Sequence, residues 1–169
     1  MYEPRHKIKK PEGKLGFFIC ALSVLAMDQL SKNYILSALS LQESLPLIPD
    51  FFHLTYIRNS GVSFGMLQDK AIVFTLASGL VIFCICWAAF FWKGFDRLTR
   101  ILFGFITGGA LGNLADRLRY GAVVDFLDFR GIWPYIFNLA DMAVVCGGII
   151  LALVIVLSER NAVKEDPKH

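Results

Sequence analysis

The chain has 169 residues, of which 56% are apolar and only 18% charged, and its mean hydropathy is +0.56. Soluble domains carry about a quarter charged residues, so this composition points to lipid as the main solvent. The net charge of +3 does not indicate nucleic acid, because the Lys and Arg side chains flank apolar runs and form no basic face with interleaved aromatics.

A basic tail, residues 1–14, carries Lys7, Lys9, Lys10 and Lys14. Crossing a ~30 Å hydrocarbon core takes roughly 20 apolar residues in a helix, and the first such run spans about Leu15 to Tyr34. It is too long for the apolar core of a signal peptide and ends in MDQLSK with no small-residue cleavage site, so it is read as retained. Within it Asp28 precedes Lys32 by four residues, the favourable orientation for an ion pair on a helix.

Within the segment from about 35 to 70, residues 45–67 begin with proline-marked turns, pass through a β-prone run at His53 to Ile57, and reach a turn signal at Asn59-Ser60-Gly61. A second apolar helix is expected over about 71–92 and, after the loop KGFDRLTR, a third over about 101–118. In the third, Gly104, Gly108 and Gly112 form a small-residue ridge that lets a neighbouring backbone approach. Asn113, Asp116 and Arg117 follow within one turn, and the adjacent cation is expected to hold Asp116 ionised as an anchor behind any site. The segment 119–137 is again β-branched and aromatic. A fourth helix over about 138–157 places Asp141, Val145, Gly148 and Ala152 on one face, expected to face the bundle.

Eleven of the 17 Lys and Arg residues fall on the side of the termini and the KGFDRLTR loop, against six on the other. By the positive-inside rule both termini, including the tail 158–169, are cytoplasmic, and the segments 35–70 and 119–137 face outward. The expected fold is therefore a single integral membrane domain over 1–169, all-α, with four transmembrane helices and a small extracytoplasmic β-rich platform.

The four cysteines, Cys20, Cys84, Cys86 and Cys146, lie in apolar runs without metal-ligand spacing and read as packing residues, and the three histidines are scattered. Chemistry then rests on carboxylates, hydroxyls or lysines. Asp125 (in VVDF) and Asp141 (in NLAD) have no basic neighbour in sequence and fall at one membrane depth, where they can meet. Two carboxylates sharing a site cannot both ionise readily, the arrangement by which aspartic proteases activate water. Helix capping or ion pairing remains open for each, as does Asp128 as a rival partner, although Asp125 and Asp128 would point to opposite faces of a strand.

The blocks MDQLSK (27–32), RNSGVSFG (58–65), GGALGNLADRLRYGAVVDF (108–126) and FNLAD (137–141) together resemble the bacterial lipoprotein signal peptidases, signal peptidase II, over most of the chain outside the tails. The resemblance implies an inner-membrane aspartic endopeptidase with Asp125 and Asp141 as its dyad. It implies Asn59, Asn113, Arg117 and Asn138 around the dyad and substrate, and Asp28 and Lys32 as a support block. It further implies a diacylglyceryl-prolipoprotein substrate cut before its lipidated cysteine, with membrane lipids as surroundings, no cofactor, no metal and a monomeric enzyme. Val62 and Ser63 depart from the family's usual alanines, and the loop around Asn59 is expected to close over substrate. A proton-coupled transporter would instead place acids near the midplane of repeated halves, a Ser31/Lys32 dyad fails because adjacent helical residues diverge, and a thiol oxidoreductase lacks paired outward cysteines.

Overall fold

A computed structural model describes residues 13–60, 71–92 and 94–165. The chain runs α1 (Lys14–Ala38), β1 (Ser44–Ile48), β2 (Phe52–Asn59), α2 (Ala71–Phe91), α3 (Arg97–Tyr120), β3 (Val123–Phe129) and α4 (Leu139–Glu165). The expected turn at Gly61, with Val62 and Ser63, lies outside the described residues, as do residues 1–12 and 166–169 of the tails.

Among the described residues, α1, α3 and the Leu139–Ser158 part of α4 are long and apolar enough to cross a membrane, and α2 contributes a shorter apolar stretch, Thr75–Phe91. Large apolar side chains such as Leu22, Leu30, Leu80 and Leu153 stand more than half exposed on these helices. Water would not tolerate so extensive an apolar surface, whereas lipid requires it.

Helix α3 is the centre of the bundle, packing against α1, α2 and α4, while α2 packs extensively only on α3. The glycine ridge explains the closeness of α1. A Cβ on Gly104 or Gly108 would run into the backbone of Phe17 or Ala21, and one on Gly112 into the carboxylate of Asp28. Gly109, one position round the helix, serves α4 in the same way at the Ala140 carbonyl.

Two helix boundaries extend beyond the apolar runs, and both have local causes. α3 begins at Arg97 rather than near 101 because Asp96 caps it, accepting from the Thr99 N–H at 2.8 Å. Hydrogen bonds from the Thr99 side chain and then its backbone N–H hold the Asp96 carboxyl below its ordinary range. Arg100, counted above among loop cations, is thus a buried helical residue whose guanidinium donates to the Ala89 and Trp92 carbonyls at the end of α2. α4 continues past its apolar part to Glu165.

The three strands form one antiparallel sheet in the order β1-β2-β3. Its inner face packs Tyr56, Val124 and Phe126 on Ile35 and Leu39 at the end of α1. Between β2 and β3 the register shifts from Leu54↔Leu127 to Ile57↔Asp125, so β2 carries one extra residue. This bulge explains why the consecutive residues Thr55 and Tyr56 are both buried.

One expectation is corrected. The face of α4 buried in the bundle carries Ala140, Ala143 and Gly147, with Gly147 against Ile106. Val145 is 57% exposed and nothing lies near Gly148, so the stripe that begins at Asp141 turns away from α3 and α4's packing seam.

Candidate active site

The site begins where β3 hands the chain to α4. The loop after β3 folds back, and Phe137 exchanges backbone hydrogen bonds with Leu127 while its ring stacks on Phe129 at 5.8 Å. That return sets Asn138, the residue before α4, beside Val124 and Asp125.

Asn138 and Asp141 form a reciprocal cap. The Asp141 N–H donates to Asn138 Oδ1 at 2.9 Å, and the Asn138 N–H donates to Asp141 Oδ2 at 3.3 Å. Because Asn138 Oδ1 is committed to a backbone donor, its NH₂ must face the other way, where it donates to Asp125 Oδ1 at 2.6 Å. One fully buried asparagine therefore joins the two aspartates. The capping role considered for Asp141 holds and is compatible with its place beside Asp125.

The bulge decides what else meets Asp125. With Ile57 opposite Asp125, Asn59 falls on the same side of the sheet, and its Nδ2 donates to Asp125 Oδ2 at 2.9 Å. Without the extra residue every side chain of β2 beyond it would switch faces, and Arg58 would meet Asp125 instead. Arg58 is held elsewhere, by the Tyr56 hydroxyl at 2.8 Å and over the Tyr120 ring. Asp125 is 1% exposed, and burial pushes its carboxyl up to about 6; the nearby Asp141 charge adds to the rise, while the Asn59 and Asn138 hydrogen bonds and Lys32 oppose it.

Behind the aspartates lies a buried ionic cluster. Lys32, 1% exposed, uses all three ammonium protons, on Asp28 at 2.9 Å, on Asp116 at 2.8 Å and on Asn113 Oδ1 at 3.0 Å. Asp28 also accepts the Ala140 N–H at the start of α4, and Asp116 accepts the Val124 N–H of β3. The cluster thus ties α1, α3, β3 and α4 together at one level. The sequence adjacency of Asp116 and Arg117 misled: the partner of Asp116 is Lys32, because consecutive helical residues point about 100° apart. Arg117 reaches Ser78 on α2 instead, at 3.4 Å.

Asp128 is not a partner of Asp125. It points to the opposite face of β3, where it accepts from Thr55 at 2.7 Å and pairs with Arg130.

Beside this arrangement is a cavity of about 950 Å³. Ala77 and Val81 of α2, Ala110 of α3, and Met142, Val145 and Cys146 of α4 make its apolar walls, while Trp133, Tyr135 and Phe137 lie at the sheet end. Its polar groups are Asn59, Ser78, Asn113, Arg117 and Asp141. Asn113 Nδ2 donates to Asp141 Oδ1 at 2.7 Å. Four residues singled out in the sequence, Asn59, Asn113, Arg117 and Asp141, therefore line the cavity, and the buried Asp125 and Asn138 are hydrogen-bonded to them, with Asp28, Lys32 and Asp116 directly behind. Two contributors were missed. Cys146 lines the cavity rather than a packed interior, and Gln29 bridges Asp28, Asp116 and the Gly112 carbonyl; an amide one residue after Asp28 was the only available signal for the latter.

Residues 20–157 match the family model described as signal peptidase (SPase) II, Peptidase_A8. The chain belongs to the signal peptidase II family. A lipoprotein signal peptidase of Moorella thermoacetica is 54% identical over 138 residues, covering 81% of this chain and 90% of that one. The lipoprotein signal peptidase of Clostridioides difficile is 37% identical over 86% of this chain and 98% of its own length. Among solved structures, a bacterial membrane enzyme superposes with a TM-score of 0.78 at 26% identity, covering 94% of this chain and 96% of the other. The protein is accordingly a membrane peptidase of this family, and its fold is that of a known membrane enzyme.

Proposed function

We propose that this peptidase is an aspartic endopeptidase that removes the signal peptide from diacylglyceryl-modified prolipoproteins, cutting just before the lipidated cysteine. The observation that carries the reading is the pair Asp125 and Asp141, joined through Asn138 at the polar end of an otherwise apolar cavity. A water between an ionised and a protonated carboxylate is deprotonated as it attacks the scissile carbonyl, while the carbonyl oxygen takes the other proton; the amide nitrogen is protonated as the C–N bond breaks. Asn59, Asn113 and Asn138 orient the carboxylates, and Arg117 meets the substrate backbone from the cavity wall. Asp28, Lys32 and Asp116 support them from behind.

The names of the related proteins support the substrate class, and the cavity supports the route. It lies along α2, α3 and α4, and α2 and α4 make no extensive contact with each other, so an apolar signal helix and its acyl chains can enter sideways from lipid. Four spans, cytoplasmic termini and an extracytoplasmic site in a bacterial inner membrane complete the reading, with 1–169 as one domain acting as a monomer. In support, the sheet and dyad lie at the opposite end of the bundle from the Arg97–Arg100 stretch that begins α3.

The test is cleavage of a diacylglyceryl-prolipoprotein by Asp125→Asn and Asp141→Asn made separately. Each is expected to lose activity by about 10²–10⁴-fold or more, and cleavage retained in either refutes the dyad. Reporters fused after Lys93 and near Gly131 should read cytoplasmic and extracytoplasmic; reversed signals refute the orientation.

A further inference from the structure

The two aspartates occupy unlike environments, and the difference is set by donors whose direction cannot be reversed. An ammonium group and a backbone N–H only donate, whereas a side-chain amide can present either end. Lys32 Nζ donates to Asn113 Oδ1, which obliges Asn113 to turn its NH₂ toward Asp141 Oδ1. The other oxygen of Asp141 receives the Asn138 backbone N–H. Asp141 therefore faces fixed donors at both oxygens, sits in the first turn of α4 where the helix dipole favours an anion, and lines the cavity.

Asp125 differs on each count. It is almost fully buried, belongs to a strand with no helix dipole, and is not among the residues that line the cavity. Its Oδ1 accepts from the Asn138 NH₂, whose direction the Asp141 N–H fixes, but its Oδ2 meets the Asn59 side-chain amide instead of a backbone N–H or an ammonium-fixed donor. The charged groups that act on it are Asp141 of α4 and Lys32 of α1, and Lys32 is itself paired with Asp28 of α1 and Asp116 of α3. Arg58 of β2 is engaged with Tyr56 and Tyr120.

We infer that the dyad is polarised before substrate binds: Asp141 is the ionised base, Asp125 carries the proton on Oδ2, and Lys32 is a positioning residue that enforces this division through Asn113. The inference rests on the dyad reading above and deepens it. In the forward step Asp141 takes a proton from water as the water oxygen bonds to the carbonyl carbon, and the Asp125 O–H passes its proton to the carbonyl oxygen. In the second step the proton on Asp141 moves to the amide nitrogen, the C–N bond breaks, and Asp125 recovers a proton from the gem-diol. The elevation of the Asp125 carboxyl to about 6, caused chiefly by burial, agrees with this assignment.

The decisive measurement is infrared spectroscopy of the full-length protein in detergent at about pH 5, below the Asp125 value and above that of an ordinary carboxylate. The C=O stretch of a protonated carboxyl should be lost from the spectrum of Asp125→Asn and retained in Asp141→Asn. Loss in Asp141→Asn instead, or a band unchanged by Asp125→Asn, overturns the assignment. The spectrum does not depend on turnover, so a protein that shows the predicted band yet cleaves no prolipoprotein refutes the proposed function and leaves the polarisation standing. The role of Lys32 is read from the acid limb of kcat/KM against pH. Asn113→Ser should move that limb upward by about one pH unit, because the dyad loses the donor whose direction Lys32 fixes. Lys32→Gln should move it in the same direction, and Lys32→Arg should largely restore it. An unmoved limb in Asn113→Ser overturns the positioning role even if the Lys32 variants fail to fold.

Discussion

Replacing Asp125 by Asn is expected to abolish cleavage and yet to stabilise the protein increasingly as pH rises. In the folded protein this carboxyl titrates near 6 instead of its ordinary 3.8, mainly because burial disfavours its charge. The folded state thus holds the proton more tightly than the unfolded state, and between pH ~4 and ~6 it binds more protons. Stability therefore falls as pH rises through that window, by about 3 kcal/mol at about 1.4 kcal/mol per pH unit. Asn carries no charge and escapes the loss. The stability of the variant relative to wild type should consequently rise by about 3 kcal/mol between pH 4 and 7.5, or roughly 6–12 °C in Tm for a chain of this size. Thermal unfolding in detergent, followed by tryptophan fluorescence across that range, measures the difference directly. A difference that stays flat with pH, or declines, would refute the claim that buried Asp125 resists ionisation.

Lys32→Met should destabilise the protein by about 3–5 kcal/mol, since it leaves Asp28 and Asp116 buried without their shared cation; an unchanged melting temperature would contradict the cluster. Gly108→Leu should prevent close packing of α3 on α1, because even a Cβ meets the Ala21 backbone. Loss of folded protein in detergent is the readout, with Gly148→Ala, which meets nothing, as the control expected to stay within ~0.5 kcal/mol of wild type. Asn59→Arg should place a cation beside Asp125, lower its pKa and shift the basic limb of kcat/KM downward. An unchanged pH profile in that variant would show that the bulge does not aim position 59 at the dyad.

Much of the architecture was legible because membrane insertion leaves a strong linear signal: long apolar runs, charges at their ends, and small residues every four positions. The Asp28–Lys32 pair was legible for the same reason, since helical spacing fixes which side chains share a face. The family was legible through four blocks matching it, and the same blocks nominated the residues of the candidate site, but the wiring among them was not legible. Neighbours in sequence suggested Asp116 with Arg117, whereas the fold brings Lys32 from another helix 84 positions earlier to Asp116. Periodicity placed Val145 and Gly148 in the bundle, whereas α4 is rotated so that Ala140, Ala143 and Gly147 take the seam where α3 offers Gly109.

The amino-acid sequence by itself determined the solvent, the helices and the presence of two aspartates without basic neighbours, because each depends on composition or spacing along one element. Tertiary structure alone decided which amide meets which carboxylate. A single extra residue between Leu54 and Ile57 turns Asn59 rather than Arg58 toward Asp125, and the return of Phe137 onto β3 sets Asn138 between the aspartates. Both are cross-strand relations, in which a shift of one residue exchanges the faces of the sheet, and no local pattern in the chain records them.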